Sequence, residues 1–339
     1  MARYILCWVG LLFAALGSPL AQAQTTDFVI ATNGAKYENV LNAWIVPEFE
    51  KQNNVKVVYT QGLSAQILAR VQSQRNAPQI DLAILDELPF FQGIPLGIWE
   101  PVKAEELNPG PNIVPMAFSG NGYGLAIGLA ATGLYYNTKI FKENNWAPPT
   151  SWGDLMRPEL KGKVVAHAIA NTHGLNLFMA ATLMNGGAIP GNMEPGFEFV
   201  RKLTPNLLTW DQYGETPQLL QQGVSAIGAW SRENVVTAAK SGVPVEFVYP
   251  KEGGIGFRVM ATGVKGRPAA NVVLAKKLMT IFLSERAQLQ FSEQMGVFPV
   301  DSKVGGFDEQ VKHLVFPPPD VVAANRSAWS ERWNREIAK

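Results

Sequence analysis

Ser64 stands in Gly62-Leu63-Ser64-Ala65-Gln66, which approaches the Gly-x-Ser-x-Gly turn that exposes a hydrolase nucleophile, but Gln66 replaces the closing glycine. Ser64 therefore reads as a helix cap. The chain has three histidines, and His167 and His173 lie six apart, off the i, i+4 spacing that puts two zinc ligands on one helix face. Both read as core or surface histidines. Gly120-Asn121-Gly122-Tyr123-Gly124 and Gly253-Gly254-Ile255-Gly256 lack the spacing of a dinucleotide-binding turn, and neither carries the Gly-Lys-Ser/Thr of a phosphate-cradling loop. Asp86-Glu87 is the one adjacent carboxylate pair that follows a strand-like run. These residues predict no enzyme, no cofactor and no metal. What remains is chemistry of recognition: guanidinium forks at Arg232 and Arg258, carboxylates, hydroxyls and aromatic walls.

Such groups need elements to hold them. Phe28-Val29-Ile30-Ala31-Thr32 reads as a strand ending at Asn33-Gly34, followed by Val40, Leu41, Trp44, Ile45 and Phe49 at helical spacing, with Pro47 as a break. Lys56 to Tyr59 gives a second strand, Ser64 opens a helix carrying Ile67, Leu68 and Val71, and Ile80 to Leu85 gives a third strand. This alternation predicts parallel βαβ units and an α/β fold. The apolar run from Leu125 to Tyr136 is longer than an ordinary strand of about five or six residues, so it can cross between domains. A new segment starts at Ser151, and strands follow near Lys163, Ala226 and Val245, with a candidate return strand at Phe257 to Ala261. Pro317-Pro318-Pro319 reads as a rigid turn.

The 29 Lys+Arg residues balance 28 Asp+Glu, with no basic run, which argues against a nucleic-acid partner and a polybasic membrane patch. Arg3, the apolar run from Ile5 to Leu16 and the small-x-small pattern Ala21-Gln22-Ala23 predict a signal peptide over 1–23, with cleavage before Gln24 and a periplasmic protein. The single cysteine, Cys7, would leave with it, so the mature chain would hold no disulfide or thiolate metal site.

Val57-Val58-Tyr59, Tyr135-Tyr136-Asn137-Thr138-Lys139, Ser151-Trp152-Gly153-Asp154-Leu155 followed by Leu160-Lys161-Gly162-Lys163-Val164, and Tyr249-Pro250-Lys251-Glu252-Gly253-Gly254 carry a resemblance spread over nearly the whole chain. Together they resemble the periplasmic solute-binding proteins of ABC importers, within the branch of spermidine/putrescine and ferric-iron binders. The resemblance implies a two-lobed, type II periplasmic binding protein fold in which two α/β lobes, joined by crossing strands, close on a ligand like a hinge. The lobes would be 24–128 with 259–297, and 129–258 with 298–339. It also implies a monomer that captures a small-molecule solute and docks on a membrane permease.

Against that branch, the stretch matching the iron binders' tyrosine pair reads Ala229-Trp230-Ser231-Arg232-Glu233, which supplies no phenolate for hard ferric iron. Where polyamine binders place acidic residues, this chain reads Phe257-Arg258-Val259 and Asn171-Thr172-His173. Arginine repels an ammonium and recognises carboxylate or phosphonate, so an anionic or zwitterionic solute is expected. Ligands in α/β sheets sit beyond the carboxyl ends of strands. The expected site is therefore Arg232 and Arg258 for an anion, Ser64 with the amides of its helix, Thr172 and His173 as donors, Tyr37, Trp230 and Phe257 as walls, and Asn33, Asp86 and Glu87 after the first and third strands. Tyr213 and Thr216 are further candidates. Two alternatives stay open: a cationic amine held by Asp86, Glu87, Asp211 and Glu233, and a secreted serine hydrolase built on Ser64 and a histidine.

Overall fold

The computed structural model describes residues 25–212, 214–304 and 311–337. The expected signal peptide, 1–23, and Tyr213 lie outside the described residues. Ten strands form one sheet: β1 (Thr26–Thr32), β2 (Val55–Gln61), β3 (Leu82–Asp86), β4 (Leu125–Asn137), β5 (Val164–His167), β6 (Leu207–Asp211), β7 (Ile227–Ser231), β8 (Val245–Val248), β9 (Gly254–Gly263) and β10 (Leu314–Val315). Their order is β2-β1-β3-β9-β4-β7-β5-β6, with β8 beside β4 and β10 beside β9. Around them lie α1 (Ala35–Ala43), α2 (Ile45–Asn53), α3 (Ser64–Ser73), α4 (Glu87–Gly93), α5 (Thr138–Glu143) and α6 (Thr172–Met184). The later helices are α7 (Glu194–Leu203), α8 (Thr216–Gln221), α9 (Arg232–Lys240), α10 (Ala269–Phe282), α11 (Glu285–Gln290) and α12 (Pro319–Glu336). Among the described residues, no helix is long and apolar enough to cross a membrane.

The expected α/β alternation is present on both flanks. β1 pairs in parallel with β2 and β3, and β5 pairs in parallel with β6 and β7. Between these flanks run the antiparallel β4 and β9, each buried along its entire length. That double burial explains why β4 reads as a continuous apolar run instead of alternating. Close strand packing needs small residues here: a Cβ on Gly228 of β7 would stand 2.1 Å from the Val165 carbonyl of β5. Pro47 does not break a helix in mid-course; the chain turns at Trp44 and restarts, so Pro47 falls in the first turn of α2, where its missing N–H has no intrahelical partner to lose.

Two large cores flank the crossing strands. Phe28, Ile30, Leu82 and Ile84 pack with Met260, Leu278 and Phe282 in the first lobe. Leu134, Trp152, Phe178, Phe197 and Ile227 form the core of the second. Phe298 and Val300, expected in the second lobe, pack in the first core, because Phe298 N–H donates to the Leu129 carbonyl of β4 and the Leu129 N–H returns to Phe298. The proline run leads straight into α12, whose Val322, Trp329 and Trp333 complete the second core.

Candidate functional site

A cleft of about 390 Å³ lies between the lobes, where the carboxyl ends of the parallel strands meet the first turns of the following helices. The first lobe contributes Asn33 after β1, Leu63 to Gln66 at the start of α3, and Asp86 at the end of β3 with Pro89 in α4. The second contributes His167 and Ala170 to His173 after β5, Asp211 and Gln212 after β6, and Trp230 and Asn234 around the end of β7. Arg326 enters from α12.

Hydrogen bonds fix these groups. Ser64 is the first residue inside α3, and the cap is Leu63, whose N–H donates to the Gln66 side chain at 2.9 Å. Ser64 Oγ instead accepts from the Asp86 N–H at 3.0 Å and from Asn33 Nδ2 at 3.3 Å, drawing the ends of β1 and β3 onto α3. Asn171 caps α6 by accepting from the His173 N–H at 2.8 Å, and Thr172 Oγ1 then donates to Asp86 Oδ2 at 2.7 Å across the cleft. Gly174 permits this approach, since a Cβ there would stand 2.1 Å from the Ala168 carbonyl.

The electrostatics follow from burial. Asp86 is 8% exposed, and burial pushes its carboxyl above the usual range against the hydrogen bond from Thr172. His173 is pushed well down, by burial first and then by His167 and Lys36, so its ring is neutral near pH 7. Its Nδ1 is paired with Thr132 Oγ1 at 3.2 Å, a hydroxyl that also accepts from Asn176. His167 is lowered by burial against the pull of Asp211, and its Nδ1 faces the Ala229 carbonyl at 3.1 Å, which calls for the proton on that nitrogen. Burial raises the Asp211 carboxyl, but hydrogen bonding with Glu215, the neighbouring His167 and donors from Thr216 and Gly214 outweigh it and hold it low. Asp211 thus ties the β6–α8 turn, with Thr216 buried beneath it.

Of the expected site residues, Asn33, Ser64, Asp86, Thr172, His173 and Trp230 line the cleft. The others do not. Tyr37, on α1, is buried in the first core, with the Lys36 ammonium 5.4 Å from its ring centre. Phe257 is buried behind His173, ring centres 6.0 Å apart. Arg258 and Glu87 form a buried ion pair at 2.5 Å, because β9 and the first turn of α4 meet inside the fold. Burial outweighs the Arg258 charge and pushes the Glu87 carboxyl up to about 7. Arg232 donates to the Gly296 carbonyl at 2.6 Å and covers the Phe298 ring, tying α9 to the first lobe. Neither arginine expected to meet an anion faces the cleft.

Among the described residues, the guanidinium that lines it is Arg326. It donates to Gln92 Oε1 of α4 at 3.1 Å and to the Ala170 carbonyl of the second lobe, so one side chain bridges both lobes at the cleft edge. Sequence reasoning missed Arg326 because it sits mid-helix, far along the chain from every other cleft residue, with no turn or strand end to mark it. Lys36 and Asn234 were also missed; the ammonium of Lys36 donates to Asn234 Oδ1 at 2.7 Å and lies 3.7 Å from Glu233 Oε1. Among the described residues, no group of three or more His, Cys, Asp or Glu is placed to hold a metal ion.

Residues 44–313 match the family described as bacterial extracellular solute-binding protein. The chain is 23% identical over 288 residues to the spermidine/putrescine-binding periplasmic protein of Salmonella typhimurium, covering 83% of this chain and 80% of that one. It is 25% identical over 299 residues to the gamma-aminobutyric acid-binding protein of Pseudomonas aeruginosa, covering 86% and 80%. Among solved structures, the periplasmic binding protein AfuA from Actinobacillus pleuropneumoniae superposes with a TM-score of 0.76 at 19% identity, covering 92% of this chain and 99% of that one. The two-lobed fold implied by the sequence is thereby shared with solved periplasmic binding proteins.

Proposed function

Because the chain belongs to the bacterial extracellular solute-binding protein family, we propose that it is the periplasmic capture subunit of an ABC importer, holding a small zwitterionic solute in this cleft and passing it to a membrane permease unaltered. One observation carries the reading: a carboxyl, Asp86, and a guanidinium, Arg326, line the same cleft. A solute with an acidic and a basic end meets a partner for each. The N-terminal turns of α3 and α6 also open on the cleft, and the positive ends of their helix dipoles favour the acidic end. His167 and His173 are neutral and add donors or acceptors without charge. The Pseudomonas relative, named for an amino acid with charges at both ends, is in keeping with this chemistry.

Binding without turnover is the better reading of Ser64 as well. Its hydroxyl accepts from Asn33 and from the Asp86 N–H, and the histidines in the cleft are turned to Thr132 and to the Ala229 carbonyl. A nucleophilic serine needs a base within hydrogen-bond reach.

The test is a thermal-shift screen of the purified protein against ω-amino acids, simple carboxylates with phosphate monoesters, and polyamines, since a ligand bound only to the folded state raises the midpoint by mass action. A shift with ω-amino acids, with the solute recovered intact after incubation, supports the proposal. A shift confined to polyamines overturns the zwitterion reading, and loss of the solute to a product overturns the capture role.

A further inference from the structure

Lys36 has no counterpart in the reading above, yet its ammonium stands where the two lobes meet. It extends from α1 of the first lobe to Asn234 Oδ1 at 2.7 Å and Glu233 Oε1 at 3.7 Å, both on α9 of the second. Glu233 is 4% exposed, and its other oxygen, Oε2, is buried with no hydrogen-bond partner. Asn234 itself lines the cleft. Asp86, the carboxyl on the cleft wall, feels both charges, Glu233 repelling and Lys36 stabilising its own. The result is a first-lobe lysine ammonium that crosses the lobe interface to a buried carboxyl of the second lobe, beside the cleft residue Asn234.

A buried carboxylate with a vacant oxygen is the group a ligand ammonium would seek. Here the protein supplies that cation from its own chain. We propose that Lys36 is the specificity-determining residue of the cleft: its ammonium neutralises Glu233 in place of a second ligand amine, so that the site rejects linear diamines and polyamines. A diamine brings two positive charges, of which Asp86 can pair one; the other meets the Lys36 ammonium and is repelled. A zwitterion brings only one amine, and its acidic end is free to face Arg326 and the helix N-termini. This inference rests on the zwitterion reading for the direction of selectivity, but the role of Lys36 stands on its contacts alone. It also accounts for how a chain related to spermidine- and putrescine-named proteins could take a different solute without losing the carboxyls.

The experiment compares wild type, Lys36→Met, Lys36→Arg and the Lys36→Met/Glu233→Gln double variant by titration calorimetry with two probes, putrescine and 4-aminobutanoate. Lys36→Met is expected to gain at least about tenfold in putrescine affinity relative to wild type, because Glu233 is left to pair the second amine. Lys36→Arg keeps the charge and should keep the wild-type preference. The double variant, which removes both charges and leaves no uncompensated carboxylate to unfold the protein, should lose the putrescine gain. Unchanged or weaker putrescine binding in folded Lys36→Met overturns the proposal, as does an equal gain in the double variant. If Lys36→Met does not fold, the double variant and Lys36→Arg decide the matter: putrescine binding by the double variant at least about tenfold tighter than by wild type overturns it. Absence of 4-aminobutanoate binding by wild type counts against the zwitterion reading alone, since the putrescine comparison between variants is read independently of it.

Discussion

The Thr172 hydroxyl donates to Asp86 Oδ2 at 2.7 Å, and the two residues belong to opposite lobes. Asp86 closes β3 in the first lobe and Thr172 opens α6 in the second, so this bond ties the lobes together across the cleft. A ligand favours the shut state by its differential affinity for it, and an interlobe bond shifts the same equilibrium.

Replacing Thr172 with valine keeps the shape and removes the donor. A hydrogen bond to a carboxylate contributes about 1.5–3 kcal/mol, and part of that will be lost from solute affinity, weakening Kd by roughly tenfold or more. Calorimetry reads the affinity and small-angle scattering reads the wider mean separation of the lobes. Unchanged values in both would show that Thr172 does not contribute to closure.

Arg258→Met separates stability from binding. Removing one partner of a buried ion pair leaves Glu87 uncompensated, a cost of about 3–5 kcal/mol. Chemical denaturation should show that loss, while solute affinity, measured well below the melting midpoint, changes by less than about threefold because the pair lies off the cleft. A large loss of affinity with intact stability would put Arg258 back at the ligand.

Arg326 should behave in the opposite manner. Arg326→Met removes a guanidinium from the cleft wall and its bridge from Gln92 to Ala170, so solute affinity should fall by roughly ten- to a hundredfold. Arg326→Lys should not restore it, because a single ammonium cannot serve two acceptors and a ligand with the fixed fork of a guanidinium. Equal binding by the lysine variant would mean that charge alone suffices.

Burial lowers both cleft histidines from the ordinary value of 6.5. The unfolded chain then takes up protons that the folded one refuses, so these residues cost stability progressively as pH falls below about 6.5. At higher pH that cost is absent. His173→Asn removes one such group, and its unfolding free energy should decline less steeply than that of wild type between pH 6.5 and the folded-state pKa, by up to about 1.4 kcal/mol per pH unit. Parallel pH profiles for the two proteins would refute the burial argument.

The fold was legible because its signals are local. Strand runs such as Phe28 to Thr32 and the long apolar stretch from Leu125 carry their burial in their own sequence, and β4 spans Leu125–Asn137 as that length suggested. Part of the cleft was legible for a similar reason: Asn33, Asp86 and Thr172 sit at strand or helix ends that punctuation residues mark. Charge was the misleading signal. Arg258 and Glu87 read as ligand-facing groups in a row of residues, yet they neutralise each other inside the fold, across 171 positions that no local pattern connects. Arg326 is the converse, a cleft residue whose placement depends on the final helix returning to α4.

The crossing strands also set the order in which the molecule can be made. β9 seals the edge of β3, joining Leu82 to Gly263, and Gln290 reaches back across 246 positions to the indole of Trp44. A chain leaving the ribosome or a secretion channel N-terminus first therefore holds an open-edged β3 and an unfinished first core until the second lobe has been synthesised and the return segment follows. The second lobe in turn waits for the tryptophans of the last helix. Contacts of such long range slow folding and delay the completion of either core until most of the chain is made. Truncation before about residue 300 would leave a chain that neither lobe can rescue.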